Sequence, residues 1–168
     1  LGYYRRAKFA HQAAKQIVEQ YEGRIPADVN SLLKLCGIGR YTAGAISSIA
    51  FGHAVAAVDG NVERVLARLR SGISQNGAQS KHMSRAYWEV ASACVEDIEN
   101  AGDLNQALME LGALICKPKN PHCEKCPISN YCNYLEKGTV LYLPLKEKKI
   151  KVRPRNLNFY IFKKGGQY

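Results

Sequence analysis

No apolar run among the 168 residues is long enough to cross a membrane. No segment repeats, which removes the stacked-repeat architectures. Acid is scarce at one end: beyond residue 136 Glu147 stands alone against nine Lys or Arg. The sequence opens at Leu1 with no initiator methionine and no charged-then-apolar leader, and the closing "FKKGGQY" completes no recognisable element. The chain therefore reads as a piece of a longer protein, cut at both ends. Hydrophobic residues make up 46% of it, which excludes wholesale disorder and allows one substantial core.

The net charge of +10 is unevenly placed. Residues 137–168 carry +8 of it and residues 1–136 the other +2, so the basic signal belongs mostly to the tail. Pro144, Pro154, "KEKK" and "KVRPR" suit a solvated cationic linker as well as they suit a phosphate-attracting one.

Up to about residue 136 the chain patterns as helices. Ala7, Ala10, Ala14, Ile17, Val18 and Tyr21 recur at helical spacing until Gly23 and Pro26 stop them. Asp28 is placed to cap a short helix carrying Leu32, Leu33 and Leu35, and "GIG" breaks the chain before "RYTAGAISSIAF", which Gly52 ends. After the extended "HAVAAV", Asp59 occupies an N-cap position ahead of "GNVERVLARLR", and the polar loop "SGISQNGAQS" follows. A further helix is predicted over Met83 to Ile98, and Asp103 with Gln106 forms a capping-box pattern for "LNQALMELGALI". The late stretch "NLNFYIFKK" is rich in strand formers.

Cysteine use is concentrated. Cys116, Cys123, Cys126 and Cys132 are separated by six, two and five residues, while Cys36 and Cys94 are isolated and fit reduced core positions on apolar helix faces. Three sulfurs within ten residues argue against disulfides, so the pattern predicts an intracellular protein with a metal site. Four thiolates suit zinc, but zinc modules usually bring two close cysteine pairs, and only one is present. An iron–sulfur cube also takes four thiolates and accepts a single compact loop. Spacing alone leaves both open and favours the cluster.

The same loop, reached from "LNQALMELGALIC", resembles the [4Fe–4S] loop of the endonuclease III and MutY superfamily of DNA glycosylases. "LCGIGRYTAGAI" resembles that superfamily's helix-hairpin-helix, and "VDGNVERVLARL" resembles the segment bearing its catalytic aspartate. The resemblance spans Leu1 to Cys132 and implies an all-α fold. Residues 1–136 would form the helical glycosylase core, with the helix-hairpin-helix at about 32–51 and the cluster loop at 116–132. A basic linker would occupy 137–155, and 156–168 would hold the first strand of a truncated Nudix-like domain.

Each motif has a physical reading. Gly37, Ile38 and Gly39 permit a tight turn whose amides, at the start of the next helix, can meet a DNA phosphate without reading bases. The family usually has proline where this chain has Cys36. Asp59 is implied to stabilise the positive charge that builds on deoxyribose as the N-glycosidic bond breaks, and Asn61 to hold its carboxylate. In both cases an ordinary helix-start role is the competing reading. Bifunctional members place lysine directly after "GxGR" and form an imine with the sugar. Here that position is Tyr41, and a phenol forms no imine, so the resemblance narrows to the MutY-type adenine glycosylases, which are monofunctional. In that family a leucine and the first tyrosine of "LGYY" wedge into the duplex, and Leu1 and Tyr3 match them. Lys117 and Lys119 in the six-residue loop are placed to meet phosphates.

The family's general acid is a glutamate on a helix before "LGYY". No residue of this chain corresponds to it, so the expectation is an adenine glycosylase parent and a weakly active or inactive piece. The implied partner is duplex DNA carrying adenine opposite 8-oxoguanine or guanine, bound by a monomer, with no membrane. The implied address is the nucleus or mitochondrion in a eukaryote and the cytoplasm in a bacterium. Two alternatives stay open: a thymine- or uracil-directed mismatch glycosylase of the same fold, and a non-catalytic DNA-binding module.

Overall fold

The computed structural model describes residues 4–70 and 80–136, and side chains there except those of 80–84. Leu1, Tyr3, the linker over 137–155 and the expected strand in 156–168 lie outside the described residues.

Seven helices order this part of the chain. Helix α1 (Tyr4–Gln20) ends where Glu22 and Gly23 take positive φ, and buries only Ala13. Helix α2 (Val29–Leu32) is capped as expected, the Asp28 carboxylate accepting from Ser31 N at 2.9 Å. A turn with Gly37 at φ +79° leads to α3 (Arg40–Ala45). Beyond α3 the helix widens into a π turn over Ile46–Ala50, and Gly52, again at positive φ, follows its end. Helices α4 (Gly60–Leu69) and α5 (Ser80–Glu96) come next. Helix α6 (Ala101–Glu110) widens into a second π turn over Leu111–Ile115. The cysteine loop holds two short 3₁₀ turns, Cys123–Lys125 and Ser129–Tyr131, and closes on α7 (Asn133–Glu136). Among the described residues there is no strand.

Two cores hold these helices. The larger gathers Val62, Leu66 and Ala67 of α4, Tyr87, Ala91 and Val95 of α5, Ala101 of α6, and Ala56 and Val58 of the extended segment. The smaller joins Ala13 of α1 to Leu32, Leu35 and Ala43. A buried amide ties the extended segment in place. Asn105, 1% exposed, accepts from Ala57 N at 2.9 Å and donates to Val55 O and Ser48 Oγ, both at 2.8 Å. Its hydrogen bonds are satisfied on every side, so it fixes the strand-like entry to Asp59 rather than destabilising the core.

Two local expectations change. The capping box at Asp103 and Gln106 is absent: α6 starts a turn earlier, with Asn100 as N-cap accepting from Asp103 N at 3.4 Å and donating to the Asp103 carboxylate at 2.6 Å. Asp103 instead lies in the first turn, where its charge suits the helix dipole. Neither isolated cysteine is a core residue. Cys94 is exposed on α5, and Cys36 is half-buried in the turn before α3, its Sγ within 3.1 Å of Gln12 Oε1. Cys36 lies in the turn between two helices, and Cys94 shares an open surface pocket with Leu66, Val90 and Tyr131.

Candidate active site and metal centre

Asp59 stands where the extended segment meets α4. Its Oδ1 accepts from Asn61 N at 2.9 Å and Val62 N at 2.8 Å, satisfying two of the helix's free amides. Its Oδ2 accepts from Asn61 Nδ2 at 3.0 Å. The carboxylate is thus held by three donors in one orientation, on the rigid start of a buried helix.

Asn61 is itself held. Arg64 Nη2 donates to Asn61 Oδ1 at 2.8 Å and to Gly112 O at 2.6 Å, while Arg64 Nε donates to Cys116 O at 2.7 Å. Arg64 is 8% exposed. Burial pulls its guanidinium below the ordinary value, with the charge of Cys116 opposing that shift. Gly112 lies on the second π turn, and a Cβ there would come within 2.7 Å of Asn61 Cβ and 2.8 Å of Asn61 O. Only glycine lets the two backbones approach so closely.

Tyr41 is brought to the same helix. Its hydroxyl reaches Met109 Sδ at 3.2 Å, about one turn before Gly112. Tyr41 and Asn61 therefore pack about one turn apart, Tyr41 at Met109 of α6 and Asn61 at Gly112 of the π turn that follows. Arg40, beside it, lies 3.9 Å over the Trp88 ring, fastening the start of α3 to α5.

The turn before α3 has the shape expected of it. Gly37 packs against Phe9, where a Cβ would fall 2.6 Å from Phe9 Cβ, and Ile38 N donates back to Leu35 O. Gly39 caps α3 with no side-chain bond, leaving the helix's first amides without a side-chain acceptor.

In the cysteine loop, Cys116, Cys123, Cys126 and Cys132 line one cavity with Arg68, Ile115, Pro121, Tyr134 and Leu135. Burial, followed by the neighbouring charges of Cys116, Cys132 and Cys126, pushes the Cys123 thiol up, and Arg68 pulls it back. Four thiols so close are costly to ionise together unless a cationic centre takes them. Arg68, which lines this cavity, is 3% exposed, and its buried Nε has no acceptor among the described residues. That set of four soft donors with a spare buried N–H fits a sulfur-rich anionic cluster. Among the described residues no group of three or more Cys, His, Asp or Glu side chains is arranged to hold a metal ion. Lys119 is exposed on the six-residue loop, whereas Lys117 is half-buried and its carbonyl accepts from Arg68.

The family models meet these two places. A helix-hairpin-helix motif matches residues 20–49, and the iron–sulfur binding domain of endonuclease III matches 116–132. The chain belongs to the endonuclease III superfamily. An adenine DNA glycosylase of Arabidopsis thaliana is 47% identical over 93% of this chain, and the Homo sapiens adenine DNA glycosylase is 46% identical over 79%. The chain spans about a quarter of those relatives, 25% and 24% of their lengths. A solved thermostable thymine-DNA glycosylase superposes with a TM-score of 0.69 at 37% identity, covering 79% of this chain and 59% of that one. The all-α helix-hairpin-helix fold and the [4Fe–4S] cofactor inferred from the resemblance are those of this superfamily. The segment matched by the iron–sulfur domain, residues 116–132, begins at Cys116, ends at Cys132 and includes Cys123 and Cys126.

Sequence reasoning missed Arg64 and Arg68. Both lie on α4 four residues apart, where a charged pair normally marks a solvated face. No local signal could have found them: with Asn61 they form the polar side of α4, and it is Gly112, Cys116, Lys117 and Pro118, whose carbonyls they bond, that cover this side.

Proposed function

We propose that this chain supplies the catalytic aspartate, DNA hairpin and cluster loop of a monofunctional adenine DNA glycosylase of base excision repair. The observation that carries the reading is the Asp59 carboxylate, fixed by two backbone amides and the Asn61 side chain at the head of α4. Leaving-base departure builds positive charge at the sugar, and a preoriented carboxylate stabilises that charge without reorganising. Asn61 keeps Oδ2 aimed, and water completes hydrolysis. Tyr41, in place of an imine-forming lysine, restricts the chemistry to base removal.

The substrate in this reading is adenine opposite 8-oxoguanine or guanine in duplex DNA, bound by a monomer inside the cell. Gly37, Ile38, Gly39 and Tyr41 place the hairpin amides at a phosphate. Lys117 and Lys119 serve the cluster loop in the same way, and Leu1 and Tyr3 enter the base stack. Cys116, Cys123, Cys126 and Cys132 ligate the cluster, which shapes this loop and takes no part in bond cleavage. The domain plan follows: a helical core over 1–136, a basic linker over 137–155 and the opening of a Nudix-like domain over 156–168. Without a counterpart of the family's acidic glutamate, the chain on its own excises weakly or not at all. The likeness to a thymine-DNA glycosylase at 37% identity supports a second reading, in which the same site acts on mispaired thymine or uracil.

Single-turnover excision by the full-length protein separates these readings, using duplexes with A opposite 8-oxoguanine, T opposite G and U opposite G. Release of adenine alone is expected, with Asp59→Asn lowering the rate by roughly a thousandfold. Undiminished excision by that variant removes Asp59 from its role. Release of thymine or uracil installs the second reading, and no release from any duplex leaves a DNA-binding module.

A further inference from the structure

The mechanism above does not use Arg68, yet Arg68 is among the most deeply placed charges in the molecule. Its Nη1 donates to Lys117 O at 2.7 Å and lies 3.3 Å from Cys116 Sγ, and its Nη2 donates to Pro118 O at 3.1 Å. Its own carbonyl is 3.7 Å from Cys132 Sγ, so the residue touches the first and the last cysteine of the loop at once. The Tyr134 ring covers the guanidinium at 5.2 Å. Nε alone is left, buried and without an acceptor among the described residues.

Three features point the same way. A guanidinium 3% exposed lies in a cavity wall lined by four cysteine sulfurs and by no carboxylate. Its planar fork is pinned by two loop carbonyls, so it cannot turn away from the cavity. Hydrogen bonds to cluster sulfurs and nearby positive charge are the levers by which a protein sets cluster retention and potential.

We propose that Arg68 is the supporting donor of the iron–sulfur site: it holds the Cys116 thiolate through Nη1, offers Nε–H to the cluster's sulfur, and thereby controls how firmly the cluster is kept and at what potential it is reduced. The inference rests on the four cysteines being the ligands and is independent of which base is excised. Arg64, four residues earlier, does a different job: it holds a carbonyl of the loop and the amide beside Asp59, and has no bond to sulfur among those described.

The test compares the protein with Arg68→Gln and Arg68→Lys. Iron per protein and absorbance near about 400 nm in the unaltered protein come first, since a colourless zinc protein overturns the ligand assignment itself and this inference with it. With iron present, Arg68→Gln is expected to lose its cluster to a chelator at least about tenfold faster and to show a more negative reduction potential. Arg68→Lys, which keeps charge without the fork, is expected to fall between. Equal chelation rates and an unchanged potential in Arg68→Gln overturn the proposal. Should that variant fail to fold by circular dichroism, pulsed electron paramagnetic resonance decides on the unaltered protein, labelled with ¹⁵N-arginine and carrying its cluster in a paramagnetic state. A resolved arginine nitrogen coupling is expected, and its absence overturns the assignment.

Discussion

Arg64 donates to the side-chain carbonyl of Asn61 at 2.8 Å, and that bond decides which end of the Asn61 amide faces Asp59. With Oδ1 engaged, the NH₂ group must point to the carboxylate, where it lies 3.0 Å from Oδ2. Reversed, the amide would set oxygen against oxygen. Lysine at position 64 keeps a charge but has a single point donor in place of a fork, and cannot serve Asn61 Oδ1, Gly112 O and Cys116 O together. Arg64→Lys in the full-length protein is therefore expected to slow single-turnover excision by about tenfold or more and to cost roughly 2 kcal/mol of stability for buried acceptors left unpaired. Unchanged excision would show that the amide's orientation does not depend on residue 64.

The close approach of Gly112 to Asn61 leads to the second prediction. A methyl group at 112 meets both the Asn61 side chain and its backbone, at 2.7 and 2.8 Å, so α4 and the π turn must separate. Gly112→Ala is expected to destabilise by roughly 1–3 kcal/mol. It should also lower the excision rate more than it lowers DNA affinity, because the hairpin at Gly37 to Gly39 is carried by other packing, against Phe9 and Leu35. Paired measurements of excision rate and of duplex binding by anisotropy decide it, and a parallel fall in both would place the damage in the fold rather than at Asp59.

What the sequence disclosed and what it hid differ in kind. Asp28 and Asp59 as caps, Gly52 as a stop and the cysteine loop are local signals, set by one or two residues and their immediate backbone, and the structure has each of them. The cap of α6 was misplaced because Asp103 and Gln106 fit the capping pattern as well as Asn100 does, and only packing of Ala101 in the core selects the earlier start. The π turns at Ile46–Ala50 and Leu111–Ile115 leave no local trace at all. They arise where one helix must bring Ser48 to Asn105 and another must bring Gly112 to Asn61, contacts spanning about fifty residues. The site follows the same division: Asp59 and Asn61 stood out from their neighbours, while Arg64 and Arg68 acquire their roles from the cysteine loop about fifty residues away.

Tyr87 supplies the last prediction, and it concerns stability alone. The residue is 1% exposed at the centre of the larger core, and its hydroxyl has no partner among the described residues. A buried hydroxyl without a bond costs about 1–3 kcal/mol, so Tyr87→Phe, which keeps the ring and removes the oxygen, is expected to stabilise by roughly 1 kcal/mol. The pH dependence has a definite sign. Burial first, and then the charge of Glu63, raise the phenol above its ordinary value of 10.0. A raised folded value means that the unfolded chain loses this proton first as pH climbs. The neutral phenol's contribution is therefore complete below about pH 10, and is lost as the pH rises from there through the folded value. The advantage of Tyr87→Phe should widen above pH 10, measured as the difference in urea midpoint between the two proteins at pH 7 and pH 10.5. A midpoint lowered by the substitution at neutral pH would mean that the hydroxyl is bonded after all, and that the core around α4 and α5 is built on that bond.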